Sequence, residues 1–165
     1  NPANGTPITL PSQDMVLGLY YLTKEKVTTK EVTVKGEGKT FYSPEEVIIA
    51  NNEGQLDIHA KIKVKTKDVE NGEIVEKIIE TTTGKVIFNE LVPDEVGFVN
   101  ELLTKKSLRD IIGRILKVTG TKRTVEFLDD IKDLGYTMAF KGGLSFNLDD
   151  IMIPSEKEIM INDAN

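Results

Sequence analysis

The chain has 165 residues, of which 39% are hydrophobic and 29% are charged, and it carries a net charge of −6. This composition is typical of one ordinary globular domain and excludes a disordered chain. Cysteine is absent, which excludes disulfides, thiolate zinc sites and a cysteine nucleophile. The negative charge argues against a broad nucleic-acid-binding face, although it permits one wall of a larger assembly whose other parts are basic.

The sequence also lacks the patterns of membrane and secreted proteins. No apolar run approaches the roughly 20 residues that cross a bilayer, and no signal-peptide core is present. We therefore expect an intracellular protein.

The first segment, "NPANGTPITLP", predicts an ordered loop, because its prolines fix φ and its Asn-Gly pair favours a tight turn. Residues 13–22 predict a short amphipathic helix with Met15, Leu19 and Leu22 at helical spacing. Residues 23–35 alternate charged and β-branched side chains, which predicts an extended or solvent-facing arm.

The central segment predicts a helix followed by a β-hairpin. Ser43 and Pro44 in "YSPEEVIIANNEGQL" are typical of an N-cap and a first helical residue. The alternation in "LDIHAKIKVKTKDV" predicts a half-buried antiparallel strand, with His59 on its solvated face. The pair Asn71-Gly72 predicts a tight turn, with "EIVEKIIETT" as the returning strand.

The last third predicts a helical hairpin. After a short apolar segment in "TTGKVIFNELVP", Ser107 is the expected N-cap of a helix that ends at Gly120. About four residues then lead to a second helix, which is expected to end at Gly135. The segment "YTMAFKGGLSFNLDDIMIP" predicts a strand, a turn at Gly142-Gly143 and an extended stretch.

These elements predict an α+β fold, with short helices, a central antiparallel β-hairpin region and a helical hairpin in the C-terminal half. We expect residues 1–165 to form one compact unit, in which residues 24–84 are the β-rich part. Residues 85–153 would hold the helical pair and an extended segment.

The residues alone predict no catalytic constellation. His59 has no second histidine or cysteine with which to hold a metal. The pair Asp129-Asp130 favours a solvated helix face, since adjacent helical residues point about 100° apart. The pair Asp149-Asp150 follows a glycine-rich turn, which favours a capping or turn role. We therefore expect no catalytic residue, no metal and no cofactor in this chain.

Four ordered blocks are more specific. They are "NPANGTPITLPSQDMVLGLYYLT", "GKVIFNELVP", "LTKKSLRDIIGRILKVTGTKRTVEFLDDIKDLGYTMA" and "GGLSFNLDDIMIP". In order and spacing they resemble the pore and funnel-edge region of the largest subunit, β′, of bacterial DNA-directed RNA polymerases. The resemblance covers nearly the whole chain and is weakest over residues 24–84. It implies a fragment of a larger chain that begins just after the catalytic metal loop of that family.

The resemblance implies that the chemistry lies elsewhere in the parent subunit. The catalytic magnesium of the family is held by an Asn-Ala-Asp-Phe-Asp-Gly-Asp loop, which does not occur in this sequence. We expect this chain to be inactive alone, while the parent subunit holds Mg and Zn and transfers nucleotides in the bacterial cytoplasm and nucleoid. Implied partners are the rest of β′, the β, α and ω subunits, NTPs, the RNA 3′ end, template DNA and secondary-channel factors.

By the same resemblance, the chain helps line the pore, or secondary channel, through which NTPs enter and backtracked RNA 3′ ends leave. A proline-locked polar loop can meet RNA with little ordering cost. Gln13 and Asn4 are expected closest to substrate, and Asp14 is expected to cap or orient. The implied lining residues are Asn4, Gly5, Pro11, Ser12, Gln13, Asp14, Gly143, Ser145, Asp149 and Asp150.

Some polymerases of this family bind the alarmone ppGpp at a seam with ω. Lys122 and Asp129 match positions involved there, whereas Glu126 and Asp133 replace an apolar and an aromatic residue. Because added carboxylates repel a polyphosphate, we expect alarmone binding at this seam to be weak or absent.

One alternative is a stand-alone α+β interaction module without enzymatic activity. The polymerase interpretation differs from it in predicting surfaces that normally pack against the rest of a subunit. It predicts an apolar patch near residues 13–22 or residues 151–161.

Overall fold

The computed structural model describes residues 13–149, with side chains described as far as Lys141. Within these residues the chain forms an α+β fold, as the sequence predicts. Its elements in chain order are α1 (Gln13–Thr23), β1 (Thr40–Phe41), α2 (Pro44–Asn52), β2 (Lys61–Glu70), β3 (Glu73–Thr82), α3 (Thr83–Asn89), a 3-10 turn (Asp94–Val96), α4 (Lys105–Thr119) and α5 (Thr121–Asp149). None of the described helices is both long and apolar enough to cross a membrane. The predicted loop before residue 12 lies outside the described residues.

The sheet has the strand order β1-β2-β3. Strands β2 and β3 are antiparallel, from Lys61 opposite Thr82 to Glu70 opposite Glu73, and β1 adds a short parallel pairing to β2. Asn71 and Gly72 have φ values of 54° and 80°, as both central residues of a type I′ hairpin turn require. The hairpin prediction is therefore confirmed.

The two faces of β2 differ as the alternation predicts. Ile62 and Val64 are buried in a small core beneath the sheet, together with Val47 of α2 and Val86 of α3. The other face carries exposed lysines, Lys61, Lys63, Lys65 and Lys67. Ser43 caps α2 by accepting a hydrogen bond from the backbone N–H of Glu46 at 3.2 Å, which confirms that prediction.

A larger core joins α1, α3, α4 and α5. Leu19 of α1, Ile111 of α4 and Ile131 of α5 are fully buried there, and the rings of Phe88 and Phe127 meet edge to face at 6.0 Å. Burial of side chains from all four helices makes this core the main source of tertiary stability.

Helix α4 begins earlier than the sequence analysis predicts. Its N-cap is Thr104, whose hydroxyl accepts a hydrogen bond from the backbone N–H of Ser107, so the prediction that Ser107 is the cap is wrong. Both residues are good capping types, and Lys105 and Lys106 gave no signal of a helix start. The connection to α5 is also shorter than expected, because only Gly120, with φ 92°, separates the helices.

The predicted strand, glycine turn and extended segment after Gly135 are wrong within the described residues. Helix α5 continues through Gly135, Gly142 and Gly143 to Asp149. Gly135 is buried against α1, and Met138, three residues later, is buried in the same core. Tertiary packing thus continues the helix where local propensity favours a stop. Asp150 and residues 151–153 lie outside the described residues.

Helices α1 and α5 cross at a point where glycine is required. A Cβ added at Gly18 would collide with the carbonyl oxygen of Gly135 and lie 2.6 Å from the backbone nitrogen of Ala139. A Cβ added at Gly135 would lie 2.8 Å from the carbonyl oxygen of Met15. The two backbones are therefore in direct contact, which no larger residue permits without moving a helix.

His59 is buried, so its predicted exposure on the polar face of a strand is wrong. It precedes β2, where the segment after α1 covers that face, and its backbone oxygen accepts the N–H of Lys26 at 3.0 Å. The ring Nδ1 lies 2.8 Å from the carbonyl oxygen of Lys24, and the ring meets Tyr21 edge to face at 4.7 Å. Burial lowers the pKa of His59, although the Lys24 carbonyl opposes that shift.

The glycine crossing predicts opposite effects for two Gly→Ala substitutions. Gly18→Ala should destabilise the protein by about 3 kcal/mol, because its methyl group collides with backbone. Gly113→Ala in α4 should stabilise it by up to about 1 kcal/mol, since nothing lies within 4 Å of the added Cβ. Urea unfolding measures both values, and equal effects would contradict the crossing.

The burial of His59 predicts a pH dependence of stability. In the unfolded chain this histidine titrates near pH 6.5, whereas its folded pKa is lower, so the unfolded state binds more protons as the pH falls. The free energy of unfolding should therefore decrease below about pH 6.5. His59→Gln should reduce that decrease. Denaturant unfolding between about pH 8 and pH 5 tests this, and parallel curves for the two proteins would contradict it.

Candidate functional site on α1 and α5

Two of the sequence-predicted lining residues, Gln13 and Asp14, lie in the first turn of α1 with exposed side chains. Asp14 lies inside the helix, where a carboxylate interacts favourably with the positive end of the helix dipole. The first turn of α1 is held against α5, because the next residue, Met15, is buried against Gly135. Gln13 is thus a polar side chain on a firmly held helix start.

The other end of α1 is anchored by a buried hydroxyl. Thr23 Oγ1 donates to the carbonyl oxygen of Leu19 at 2.9 Å and accepts the backbone N–H of Leu103 at 2.9 Å. These bonds join the helix to the segment that leads into α4. Since both ends of α1 are held by buried contacts, Gln13 and Asp14 are carried by a rigid element rather than a free arm.

The remaining implied lining residues are placed only in part. Gly143, Ser145 and Asp149 lie on the last turns of α5, and their side chains are outside the described residues. Asn4, Gly5, Pro11, Ser12 and Asp150 lie wholly outside them. Ala139, which approaches Gly18, lies one helical turn before Gly143. The structure thus packs α1, which carries Gln13 and Asp14, against α5, which carries Gly143, Ser145 and Asp149.

The exposed face of α5 carries the residues of the predicted alarmone seam. Lys122, Glu126, Asp129 and Asp133 recur every three or four residues, which aligns them on one side of the helix, and all four are exposed. Glu126 lies 3.9 Å from Arg123 in a partly exposed ion pair. Three carboxylates and one ammonium thus form this stripe, which gives it a net negative charge.

A groove that the sequence analysis missed lies beside this stripe, between α2, α3 and α5. It has a volume of about 520 Å³ and an apolar floor that includes Ile58, Ile87 and Leu134. Its rim carries Glu90 and Asp133. No local sequence pattern predicts such a groove, because it is formed by three elements that are distant in sequence.

Among the residues that line the groove, Glu90 has a carboxyl whose pKa is shifted. Burial raises the pKa of its carboxyl, and the nearby carboxylates of Glu45 and Asp94 raise it further. In the described part of the chain, no group of three or more acidic or histidine side chains is arranged to hold a metal ion.

Two side chains fix the loop that follows the 3-10 turn. Asn89 donates to the carbonyl oxygen of Val99 at 2.7 Å and accepts the N–H of the same residue at 2.8 Å. Asp68 accepts the N–H groups of Phe98 and Val69 at 2.9 and 2.8 Å. Burial alone would raise the pKa of Asp68, but these N–H groups and the Lys77 ammonium outweigh it and keep the pKa below its usual range.

Two large apolar side chains of α1 are exposed. Leu17 and Tyr20 are 47% and 38% exposed on the side of the helix that faces away from α5 and the core. The apolar patch expected near residues 13–22 stays a prediction, and residues 151–161 lie outside the described residues.

Comparison with known proteins then decides the family. The model of a family described as RNA polymerase Rpb1, domain 3, matches residues 1–151. The chain belongs to this family. The match includes the segments that carry every implied pore-lining residue.

Two curated relatives of this Rpb1 domain 3 chain share the name DNA-directed RNA polymerase subunit beta'. The protein of Flavobacterium johnsoniae is 58% identical over 165 residues, which is 99% of this chain and 12% of that protein. The protein of Bacteroides fragilis is 61% identical over 162 residues, or 98% of this chain and 11% of that protein. The chain thus spans only about one-ninth of the length of the relatives that it matches.

Proposed function

We propose that this chain is part of the largest subunit of a DNA-directed RNA polymerase and helps line the pore through which NTPs enter and RNA 3′ ends leave. The observation that carries this proposal is the identity of 58–61% with beta' subunits across 98–99% of the chain.

The geometry supports a positioning role. Helix α1 presents Gln13 on a start that Met15 and the crossing at Gly18 hold in place. A side chain amide on a rigid helix offers both a donor and an acceptor to a ribose, base or phosphate without a large ordering cost. Residues of this kind orient a substrate that passes them, and they do not need to take part in bond making.

The proposal assigns nucleotidyl transfer to other residues of the parent subunit. The described residues provide no cluster of metal ligands, and the aspartate loop expected for the family is not in this sequence. The described residues therefore do not fit a magnesium centre. The partners proposed for this chain are the remainder of its own subunit, the other polymerase subunits, NTPs and RNA.

Substituting Gln13 in the complete subunit tests this proposal. Gln13→Ala should change the elongation or pausing rate by about threefold to tenfold, the worth of one hydrogen bond to substrate. Gln55→Ala, an exposed glutamine after α2, is the matched control and should leave the rate unchanged. Single-round transcription with reconstituted polymerase measures both, and identical kinetics for all three proteins would refute the proximity of Gln13 to substrate.

We also propose that the acidic stripe of α5 makes this polymerase a poor binder of ppGpp. Glu126→Ile together with Asp133→Tyr removes two carboxylates and should strengthen binding by roughly tenfold. Titration of the assembled enzyme with ppGpp measures this, with Asp110→Asn, an exposed carboxylate on α4, as the control. Tight binding by the unchanged enzyme that is lost in Lys122→Ala would contradict the proposal.

A further inference from the structure

Strand β3 lies at an edge of the sheet. Among the described residues it pairs with β2 alone, and its ten residues pair one to one from Glu73 to Thr82 without a bulge. It also contains no proline. Bulges and prolines are among the features that protect edge strands, because a regular edge without them pairs readily with another strand.

The alternation of the ladder shows which backbone groups of β3 face outward. The side chain of Asn100 donates to the carbonyl oxygen of Glu80 at 2.8 Å, so Glu80 points away from β2. Its partner Lys63 donates its own N–H to Lys39 on the opposite side, at 2.9 Å, as a non-hydrogen-bonded pair requires. Since the pattern repeats every two residues, the backbone N–H and C=O groups of Ile74, Glu76 and Ile78 also point away from β2.

In the described part of the chain, the outward backbone groups of these three residues have no backbone hydrogen-bond partner. Ile74 and Ile78 have side chains that are 49% and 56% exposed. Large β-branched side chains on a free edge are a combination that favours another strand as a partner.

The side chains of this edge alternate in kind, as Ile74, Glu76, Ile78 and Glu80 share one face. Glu76 lies opposite Lys67 of β2 and 3.9 Å from Lys65, while Glu80 lies opposite Lys63 without forming an ion pair among the described residues. A strand placed beside β3 would therefore gain from apolar residues opposite the isoleucines and from lysine or arginine opposite the glutamates.

We propose that the free edge of β3 is a docking site for one extended segment that alternates apolar and basic side chains and adds a fourth strand to the sheet. Backbone bonds to Ile74, Glu76 and Ile78 would supply affinity. The alternation of isoleucine and glutamate would select the sequence of the partner.

A second copy of β3 is a poor occupant. In an antiparallel pairing that places Ile74 opposite Ile78, Glu76 faces Glu76 of the other copy. In the pairing that places Ile78 opposite itself, Glu76 faces Glu80. Both registers oppose like charges directly, and the register between them sets isoleucine against glutamate. The charge pattern therefore favours a basic partner over self-association.

Residue-level amide hydrogen exchange of the assembled polymerase tests this site, an experiment that rests on the proposed function. The amides of Ile74, Glu76 and Ile78 should exchange at least about tenfold more slowly in the enzyme than in the 165-residue chain alone. Fast exchange of these amides in an enzyme that does contain the chain would overturn the docking site and leave the proposed function standing. Failure of the subunit to enter the enzyme would instead count against the proposed function.

Charge reversal tests the chemistry of the partner. Glu76→Lys with Glu80→Lys should restore fast exchange at the three amides in the enzyme, whereas Glu73→Lys, on the opposite face of β3, should not. With the 165-residue chain alone, a peptide alternating valine and lysine should slow the three amides, and one alternating valine and glutamate should not. Preference for the acidic peptide, or slowing that depends only on the concentration of the chain, would overturn the proposal.

Discussion

The contact between the backbones of α1 and α5 is the constraint on which the rest of the arrangement depends. Gly18 and Gly135 let the helices approach until one backbone touches the other, and this approach brings Met15, Leu19 and Leu22 into the main core. The same approach fixes the start of α1, where Gln13 lies. A small change in helix separation would therefore alter the core and the candidate site together.

Much of the fold could be predicted because its signals are local. The φ preferences of Asn71-Gly72 specify a hairpin turn, the hydroxyl of Ser43 specifies a helix start, and the alternation of Ile62 and Val64 with lysines specifies a half-buried strand. Each of these features depends on neighbours within a few residues. The family could be predicted for a different reason, because the four sequence blocks that resemble it are spread in order along nearly the whole chain.

What could not be predicted depends on contacts between distant segments. Gly135 is a stop signal locally, but its missing side chain makes room for α1, and the helix continues. His59 has a polar position in its strand pattern, but the segment around Lys24 covers it. The groove bordered by Glu90 joins three elements, so no single segment announces it. Of the candidate lining residues, only Gln13 and Asp14 have described side chains, and their roles stay predictions.

The distance in sequence between α1 and α5 has a consequence for how the protein is made. The partner of Gly18 is synthesised roughly 120 residues later, which takes about 6–24 s at ordinary translation rates. During that interval the apolar side of α1 has no α5 to pack against. Met15, Leu19 and Leu22 therefore stay exposed on the nascent chain until α5 is complete. A ribosome that stalls within α5 leaves these apolar side chains open to aggregation.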